Sequence, residues 1–158
     1  MTPTRSALLD AWRRYGTTAP GRWFVSRMVA FKAPYFRTIR PTFTRVEPGR
    51  VEASMPMRWS ITNHLGSVHA IAMCNLAELV GGCCTDVSVP GDLRWIPVGM
   101  TVRYLKIART DLRAVATLPG AVFEAPGEVI AHVEVHDREG VLVFTADITM
   151  RLSTRAAK

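Results

Sequence analysis

The chain has 158 residues, 48% of them hydrophobic and 21% charged, so it can bury the core of one globular domain and is too apolar to be largely disordered. Its formal net charge is +7, but the basic residues are scattered without a dense run, which argues against a nucleic-acid-binding protein. Three cysteines, two of them adjacent, predict neither a disulfide framework nor a zinc site.

The N-terminal part of the chain predicts two helices. Residues 6–15 form a short amphipathic helix with Ser6 as its N-cap and Gly16 at its end. Residues 22–31 form a second helix, which Pro34 ends. Residues 1–16 carry charges throughout and lack the apolar stretch of a signal peptide. We therefore expect a cytoplasmic protein with reduced cysteines.

From Pro41 onward the hydrophobic pattern has a period of two residues, which predicts β-strands with one apolar face. A turn at 47–49 joins the first two strands into a hairpin, and a turn at 137–140 joins the last two. Because short turns join successive strands, we expect an antiparallel sheet that is half buried. The six predicted strands lie at about 42–47, 50–57, 94–106, 112–118, 128–136 and 142–152.

Residues 68–84 predict a long helix that is apolar nearly all the way round, as is typical of a helix buried on every side. It lies between the second and third strands, so it can cover the apolar face of the sheet. Ser67 is its predicted N-cap, and the free backbone N–H groups at its start could stabilise an oxyanion. We expect no membrane span, because Glu78 would then lie in lipid. The cysteines are interpreted as core residues of this helix: Cys74, Cys83 and Cys84.

Glu78 is the anomalous residue of this helix. It shares one stripe with Asn75 and Gly82, which lie three residues before it and four residues after it. A buried carboxylate is costly unless it is paired or protonated, and burial makes it a stronger base. Two interpretations stay open on the residues alone. Glu78 is either a functional base or a structural residue that reaches solvent or an interface, or pairs with an arginine such as Arg103.

Residues 63–78 resemble the N-x-x-G-x-x-H-G-G…D/E segment of PaaI-type hotdog acyl-CoA thioesterases, and more narrowly the DUF4442 branch of that superfamily. Residues 98–106 are similar to the strand that follows the family's central helix. The resemblance covers about residues 40–152. It implies an α+β hotdog fold, an antiparallel six-stranded sheet wrapped around one long central helix. We expect a single domain, with an N-terminal helical extension (1–34) and a hotdog core (35–153).

The resemblance also implies roles for individual residues. Glu78 would activate water or attack the thioester carbon directly, Asn63 would orient the water or substrate, and the backbone N–H of Ala70 would hold the oxyanion. His69 also fits a structural role at the helix start, and the basic positions also fit a solvated strand face. Of the further substrate-binding positions, Arg103, Lys106 and Arg109 are suited to the phosphates of coenzyme A. The full set is His64, Gly66, His69, Arg103, Lys106 and Arg109.

The predicted function is hydrolysis of an acyl-CoA thioester. Neither a metal nor a cofactor is expected, because coenzyme A enters as part of the substrate and His64 and His69 have no third ligand. Family members form homodimers, or tetramers, in which Asn63 and Ala70 of one chain face Glu78 of the other. Ala70 and Ile71 replace the two glycines of H-G-G. The alternatives are therefore a non-catalytic acyl-CoA or lipid-binding module and a dimeric scaffold.

Overall fold

The computed structural model describes residues 6–121 and 123–155. Two helices are followed by two strands, a long helix and four strands. The helices are α1 (Ala7–Tyr15), α2 (Ala19–Lys32) and α3 (Ala70–Ser88). The strands are β1 (Thr42–Glu47), β2 (Arg50–Met55), β3 (Leu93–Tyr104), β4 (Leu112–Thr117), β5 (Gly127–His136) and β6 (Leu142–Thr154). Short 3₁₀ segments lie at Pro34–Ile39 and Trp59–Ile61.

All six strands form one antiparallel sheet in the order β1-β2-β4-β5-β6-β3. The sheet curves around α3, which contacts every strand. Inward-facing apolar residues of the strands and the buried side of α3 form one continuous core. The predicted α+β hotdog architecture is therefore confirmed, including the position of the long helix between the second and third strands.

The helix α3 packs closely on the sheet because it carries a glycine where the two meet. A Cβ atom added at Gly81 would lie 2.8 Å from Cδ1 of Ile148 on β6, so a side chain there would push the helix away. Around this contact, Leu76, Leu79 and Val80 are almost completely buried. Although α3 is long and apolar enough to cross a membrane, 61% of its apolar window is buried inside the fold, as in a core helix.

The start of α3 differs from the prediction. His69, not Ser67, is the N-cap. Ser67 and Val68 are still part of the preceding loop, where Val68 bridges to Thr62 and donates its N–H to the carbonyl of Ala108 at 2.9 Å. The helix begins only after this bridge, because the backbone groups of residue 68 are already used outside the helix.

The other end of α3 runs to Ser88, one turn beyond the predicted end at residue 84. The hydroxyls of Thr85 and Ser88 donate to the carbonyls of Gly81 and Cys84, four residues back in each case. Both hydroxyls thus have hydrogen-bond partners inside the helix. Pro90, two residues after Ser88, prevents the helix from continuing.

The N-terminal helices α1 and α2 lie near α3 and β1. Ser6 caps α1 as predicted, with its hydroxyl oxygen accepting from the N–H of Leu9 at 3.3 Å. The same hydroxyl donates to Oδ2 of Asp86 at 2.6 Å, which fastens α1 to α3. The second helix starts earlier than predicted, because Thr18 caps it and Pro20 lies in its first turn.

The edge strand β3 departs from the expected burial. It pairs only with β6, and its predicted apolar face is exposed in the single chain. Ile96 is 60% exposed and Tyr104 is 51% exposed, and Val98 and Met100 are exposed as well. An edge strand with an apolar surface and unpaired backbone groups is suited to pairing with another strand.

Glu52 is a buried carboxylate on β2 that is held by two arginines. Its side chain is 7% exposed, and it accepts hydrogen bonds from Arg113 Nη2 at 2.6 Å and Arg50 Nε at 2.8 Å. Burial alone would raise the pKa of Glu52. The hydrogen bonds and charges of Arg113 and Arg50 outweigh burial and hold its pKa below the ordinary value of 4.5.

Replacing Glu52 with Gln should therefore lower the free energy of unfolding by about 1–2 kcal/mol at pH 7. Because the folded-state pKa is depressed, this stabilisation is complete above pH 4.5 and is lost as the pH falls through the folded pKa. Urea unfolding at pH 7 and pH 3 measures it, with Glu128→Gln at the exposed Arg151 pair as control. A Glu52→Gln protein as stable as wild type at pH 7 would contradict this role.

Candidate functional site

A cavity of about 520 Å³ lies between α3 and the N-terminal helices, and Glu78 is part of its wall. Its other walls come from α1, α2, the Pro34–Ile39 segment, the start of β3 and the end of β6. The lining is mainly apolar and includes Leu8, Met28, Val29, Phe36, Leu79 and Trp95. Such a cavity with a few charged groups is the usual form of a small-molecule site.

Glu78 is exposed in the single chain and not desolvated, so of the two interpretations left open by the sequence it is the one that reaches solvent. Within the described residues it forms no ion pair, and Arg103 in particular does not pair with it. One turn further along α3, Gly82 leaves room for the Trp95 ring, because a Cβ atom there would lie 3.1 Å from it. The carboxylate of Glu78 is thus accessible at an apolar cavity and has no structural partner there.

Asp86 is a second carboxylate in the same cavity that the sequence analysis did not single out. It continues the stripe of Glu78 and Gly82 by one more turn, and this spacing was visible in the sequence. Unlike Glu78, it accepts a hydrogen bond from the Ser6 hydroxyl. Met28 and Lys32 of α2 also line this cavity. The sequence could not predict this, because the residue spacing within α2 does not indicate which part of the protein α2 packs against.

The loop before α3 is organised by Asn63. Its Oδ1 accepts hydrogen bonds from the N–H of Leu65 at 3.0 Å, the N–H of Ser67 at 3.2 Å and the hydroxyl of Ser67 at 3.1 Å. Gly66 has a φ of +68°, a conformation that favours glycine, and donates its N–H to the carbonyl of Asn63. His64 lies exposed in this turn.

The first turn of α3 follows directly from this loop. Nδ1 of His69 accepts from the N–H of Ile71 at 3.1 Å, so the His69 side chain caps the start of the helix. The N–H of Ala70 has no acceptor within the described part of the chain. It is therefore free to donate to a ligand at the positive end of the helix dipole.

Ala70 and Glu78 are too far apart to act together within one chain. Eight residues of helix separate them, which corresponds to about 12 Å along the axis. A glutamate side chain spans only part of that distance, whereas both groups must come within about 3 Å of the reacting atoms. In one chain, the two predicted halves of the site are separate.

Of the remaining predicted residues, Lys106 and Arg109 lie near the Ala70 half. The hydrogen bond from Val68 to Ala108 places the segment that carries Lys106 and Arg109 beside the start of α3. Arg103 is exposed on β3, opposite Thr145. Of the predicted site residues, Glu78 alone lines the cavity described above.

The cysteines are free thiols, as expected. Cys84 is buried, and burial raises its pKa to about 12. Cys83 lines the cavity, but burial raises its pKa even further. Since the thiolate is the reactive form, neither residue is a nucleophile at neutral pH.

The chain matches the model of one protein family, the domain of unknown function DUF4442, over residues 21–152. No curated protein matches it. This family is the branch that the residues before and within α3 resemble.

Several solved structures share the fold. The crystal structure of genomics target APC5556 is 40% identical, with a TM-score of 0.83, over 94% of this chain and 99% of that chain. A Pseudomonas aeruginosa protein of unknown function, PA5026, described as a probable thioesterase, is 24% identical with a TM-score of 0.74, over 82% and 93% of the two chains. Thioesterase HI1161 from Haemophilus influenzae is 14% identical with a TM-score of 0.70, over 78% and 85%. These likenesses confirm the hotdog fold.

The three bonds accepted by Asn63 lead to a prediction about stability. Asn63→Ala should lower the free energy of unfolding by about 1–3 kcal/mol, because the N–H of Leu65 and the N–H and hydroxyl of Ser67 lose their acceptor. Asn63→Asp keeps an oxygen in the same place and should lose less than half as much. Urea unfolding of both variants measures the difference, and equal losses would show that Oδ1 does not organise the loop.

Proposed function

We propose that this chain, which belongs to the DUF4442 family, hydrolyses an acyl-CoA thioester with Glu78 as its catalytic carboxylate. The observation that carries the proposal is the position of Glu78, an accessible carboxylate without an ion-pair partner in the described chain, in the wall of an apolar cavity of about 520 Å³. The thioesterase names among the proteins of the same fold support this reaction class.

In the proposed reaction, Glu78 takes a proton from a water molecule as the water oxygen attacks the thioester carbonyl carbon. The carbonyl oxygen becomes an oxyanion, which accepts a hydrogen bond from the N–H of Ala70. The C–S bond then breaks, and the departing thiolate takes the proton back from Glu78. The products are a carboxylic acid and a free thiol, so Glu78 returns to its starting form.

The distance between Ala70 and Glu78 requires that two copies of the chain build each site. The exposed apolar edge strand β3 supports a homodimer in which the sheets join edge to edge. In that arrangement Ala70 and the Asn63 loop of one copy face Glu78 of the other. Assembly of two such dimers into a tetramer and a cytoplasmic location remain predictions.

The cavity beside Glu78 is the proposed site of the acyl group. Its apolar walls from α1, α2 and Trp95 fit a hydrocarbon rather than a charged chain, and each buried methylene contributes about 0.8 kcal/mol. The thioester would then lie at the mouth of this cavity beside Glu78, and the carrier thiol would extend out of the cavity. No metal or cofactor enters this scheme.

The non-catalytic alternative rests on Ile71, whose side chain is 54% exposed at the helix start, where the resembled family has glycine. A bulky residue there narrows the approach to the free N–H of Ala70. A binding module would take up the thioester without releasing the thiol, so binding and hydrolysis must be measured separately.

Replacing Glu78 with Gln should reduce kcat for acyl-CoA hydrolysis by about 10²–10⁴-fold, because the base is lost while the shape is kept. The melting temperature should not change, since Glu78 is exposed and unpaired among the described residues. The matched control is Asp86→Asn, which removes the other carboxylate of the cavity and should keep most of the activity. Thiol release across acyl chain lengths measures both variants.

Two results would contradict the proposed mechanism. Unchanged thiol release by Glu78→Gln would exclude Glu78 as the base, and loss of activity in Asp86→Asn alone would transfer that role to Asp86. Tight acyl-CoA binding by the wild-type protein without thiol release would favour the binding module.

A further inference from the structure

A second concave surface lies between α2 and the Pro34–Ile39 segment, and the charged side chains that line it are all arginines. This opening, of about 530 Å³, is lined by Arg27, Arg37 and Arg40 together with Ala30, Phe31 and Thr38. Arg58 reaches the same place, because its Nη2 donates to the carbonyl of Thr38 at 2.9 Å. We call Arg27, Arg37, Arg40 and Arg58 the arginine cluster.

Among the described residues, no carboxylate forms an ion pair with the arginine cluster. Ion pairs elsewhere in the described chain involve five other arginines, and none includes a member of the cluster. Nε of Arg27 and Nε of Arg58 are buried and lack a hydrogen-bond acceptor among the described residues. The positive charge of the cluster is therefore uncompensated within the described chain, and an anion bound to its accessible N–H groups would stabilise it.

The arginines are held together despite their mutual repulsion. Burial lowers the pKa of Arg27 and of Arg58, and the positive charge of Arg40 lowers both further. Arg40 itself has a φ of 47°, an uncommon conformation for a residue with a side chain. Bonds to backbone carbonyls fix two of the guanidinium groups, since Arg27 donates to Pro41 and Arg58 to Thr38.

The arginine cluster is connected to the stripe of α3 that carries Glu78. The hydroxyl of Thr38, in the wall of the cluster, accepts a hydrogen bond from Nδ2 of Asn75 at 3.2 Å. Asn75 lies one helical turn before Glu78, and its Oδ1 is buried without a donor among the described residues. This hydrogen bond therefore places the wall of the cluster about one helical turn from Glu78 along α3.

We propose that the arginine cluster binds the phosphate groups of the carrier thiol of the substrate, which rests on the thioester hydrolysis proposed above. Arginine suits this role because its planar group of N–H donors matches phosphate oxygens and keeps its charge. The cluster differs from Arg103, Lys106 and Arg109, for which the described chain gives no buried unpaired donor. The same phosphate chemistry occurs on lipid headgroups, so the test separates the two sources.

The test measures binding and hydrolysis separately. The dissociation constants of inorganic pyrophosphate and of coenzyme A are measured by calorimetry for wild type, Arg37→Gln and Arg37→Gln/Arg40→Gln. The double variant should bind both at least about tenfold more weakly, because two charge-assisted contacts are lost. The control Arg13→Gln/Arg14→Gln removes the same charge from exposed positions on α1 and should change binding less than about twofold.

Hydrolysis is compared on an acyl-CoA and on the same acyl group carried by N-acetylcysteamine, a thiol without phosphates. The double variant should raise KM for the first substrate and leave turnover of the second unchanged. If no thioester is hydrolysed, the proposed function fails, but the pyrophosphate and coenzyme A measurements still decide on the arginine cluster.

Several results would overturn the assignment. Equal weakening in the Arg13/Arg14 control would mean that only net charge matters, and weakening confined to Arg103→Gln/Arg109→Gln would place the phosphates at that other site. Absence of wild-type pyrophosphate and coenzyme A binding would also overturn it. Binding to vesicles of anionic phospholipid, but to neither soluble ligand, would assign the cluster to a lipid headgroup.

Arg37→Gln alters only an exposed side chain and remains informative if the double variant fails to fold.

Discussion

The close contact between α3 and the sheet at Gly81 and Ile148 is the constraint on which the rest of the structure depends. Because the helix lies so near the strands, most of its circumference is buried, including Asn75 and Thr85, and Glu78 is exposed on the side that the sheet does not cover. The N-terminal helices cover part of that side, and the cavity beside Glu78 is the space left between the two layers. At its start, α3 leaves the N–H of Ala70 without an acceptor in the described chain. A rigid helix thus holds the proposed base and the proposed oxyanion donor at a fixed separation.

That separation determines the functional unit that we propose. A helix cannot bend eight residues into contact, so Ala70 and Glu78 of one chain cannot meet at one carbonyl. The exposed apolar residues of β3 are costly on a monomer and are explained if a second copy covers them. Dimerisation would therefore complete both the sheet and the site. The arginine cluster lies outside this pair of groups, where it could hold the anionic end of a long substrate.

The sequence predicted the architecture well, because alternating strands and one apolar helix leave few ways to bury their faces. It predicted the start of α3 less well. Ser67 is a good capping residue by type. The next residue, Val68, forms a β-bridge with Thr62, however, and this bridge exists only in the folded chain. Glu78 was identified as anomalous, and its exposure was one of two interpretations left open, since periodicity does not say which side of a helix remains accessible. The arginine cluster could not be foreseen either. Its members are separated along the chain and meet only where α2, the following 3₁₀ segment and Arg58 come together.

The central claim, a thioesterase site shared between two copies, is tested most directly by a hybrid of two inactive variants. Ala70→Pro removes the proposed oxyanion donor and is tolerated by the fold, because Ala70 is the first helical residue and His69 before it is extended. Glu78→Gln removes the base. When the two chains are co-expressed with different tags and the hybrid is purified, one of its two sites is intact. We predict about half of the wild-type rate of thiol release for the hybrid, although each parent alone is inactive. A hybrid as inactive as its parents would contradict the shared site.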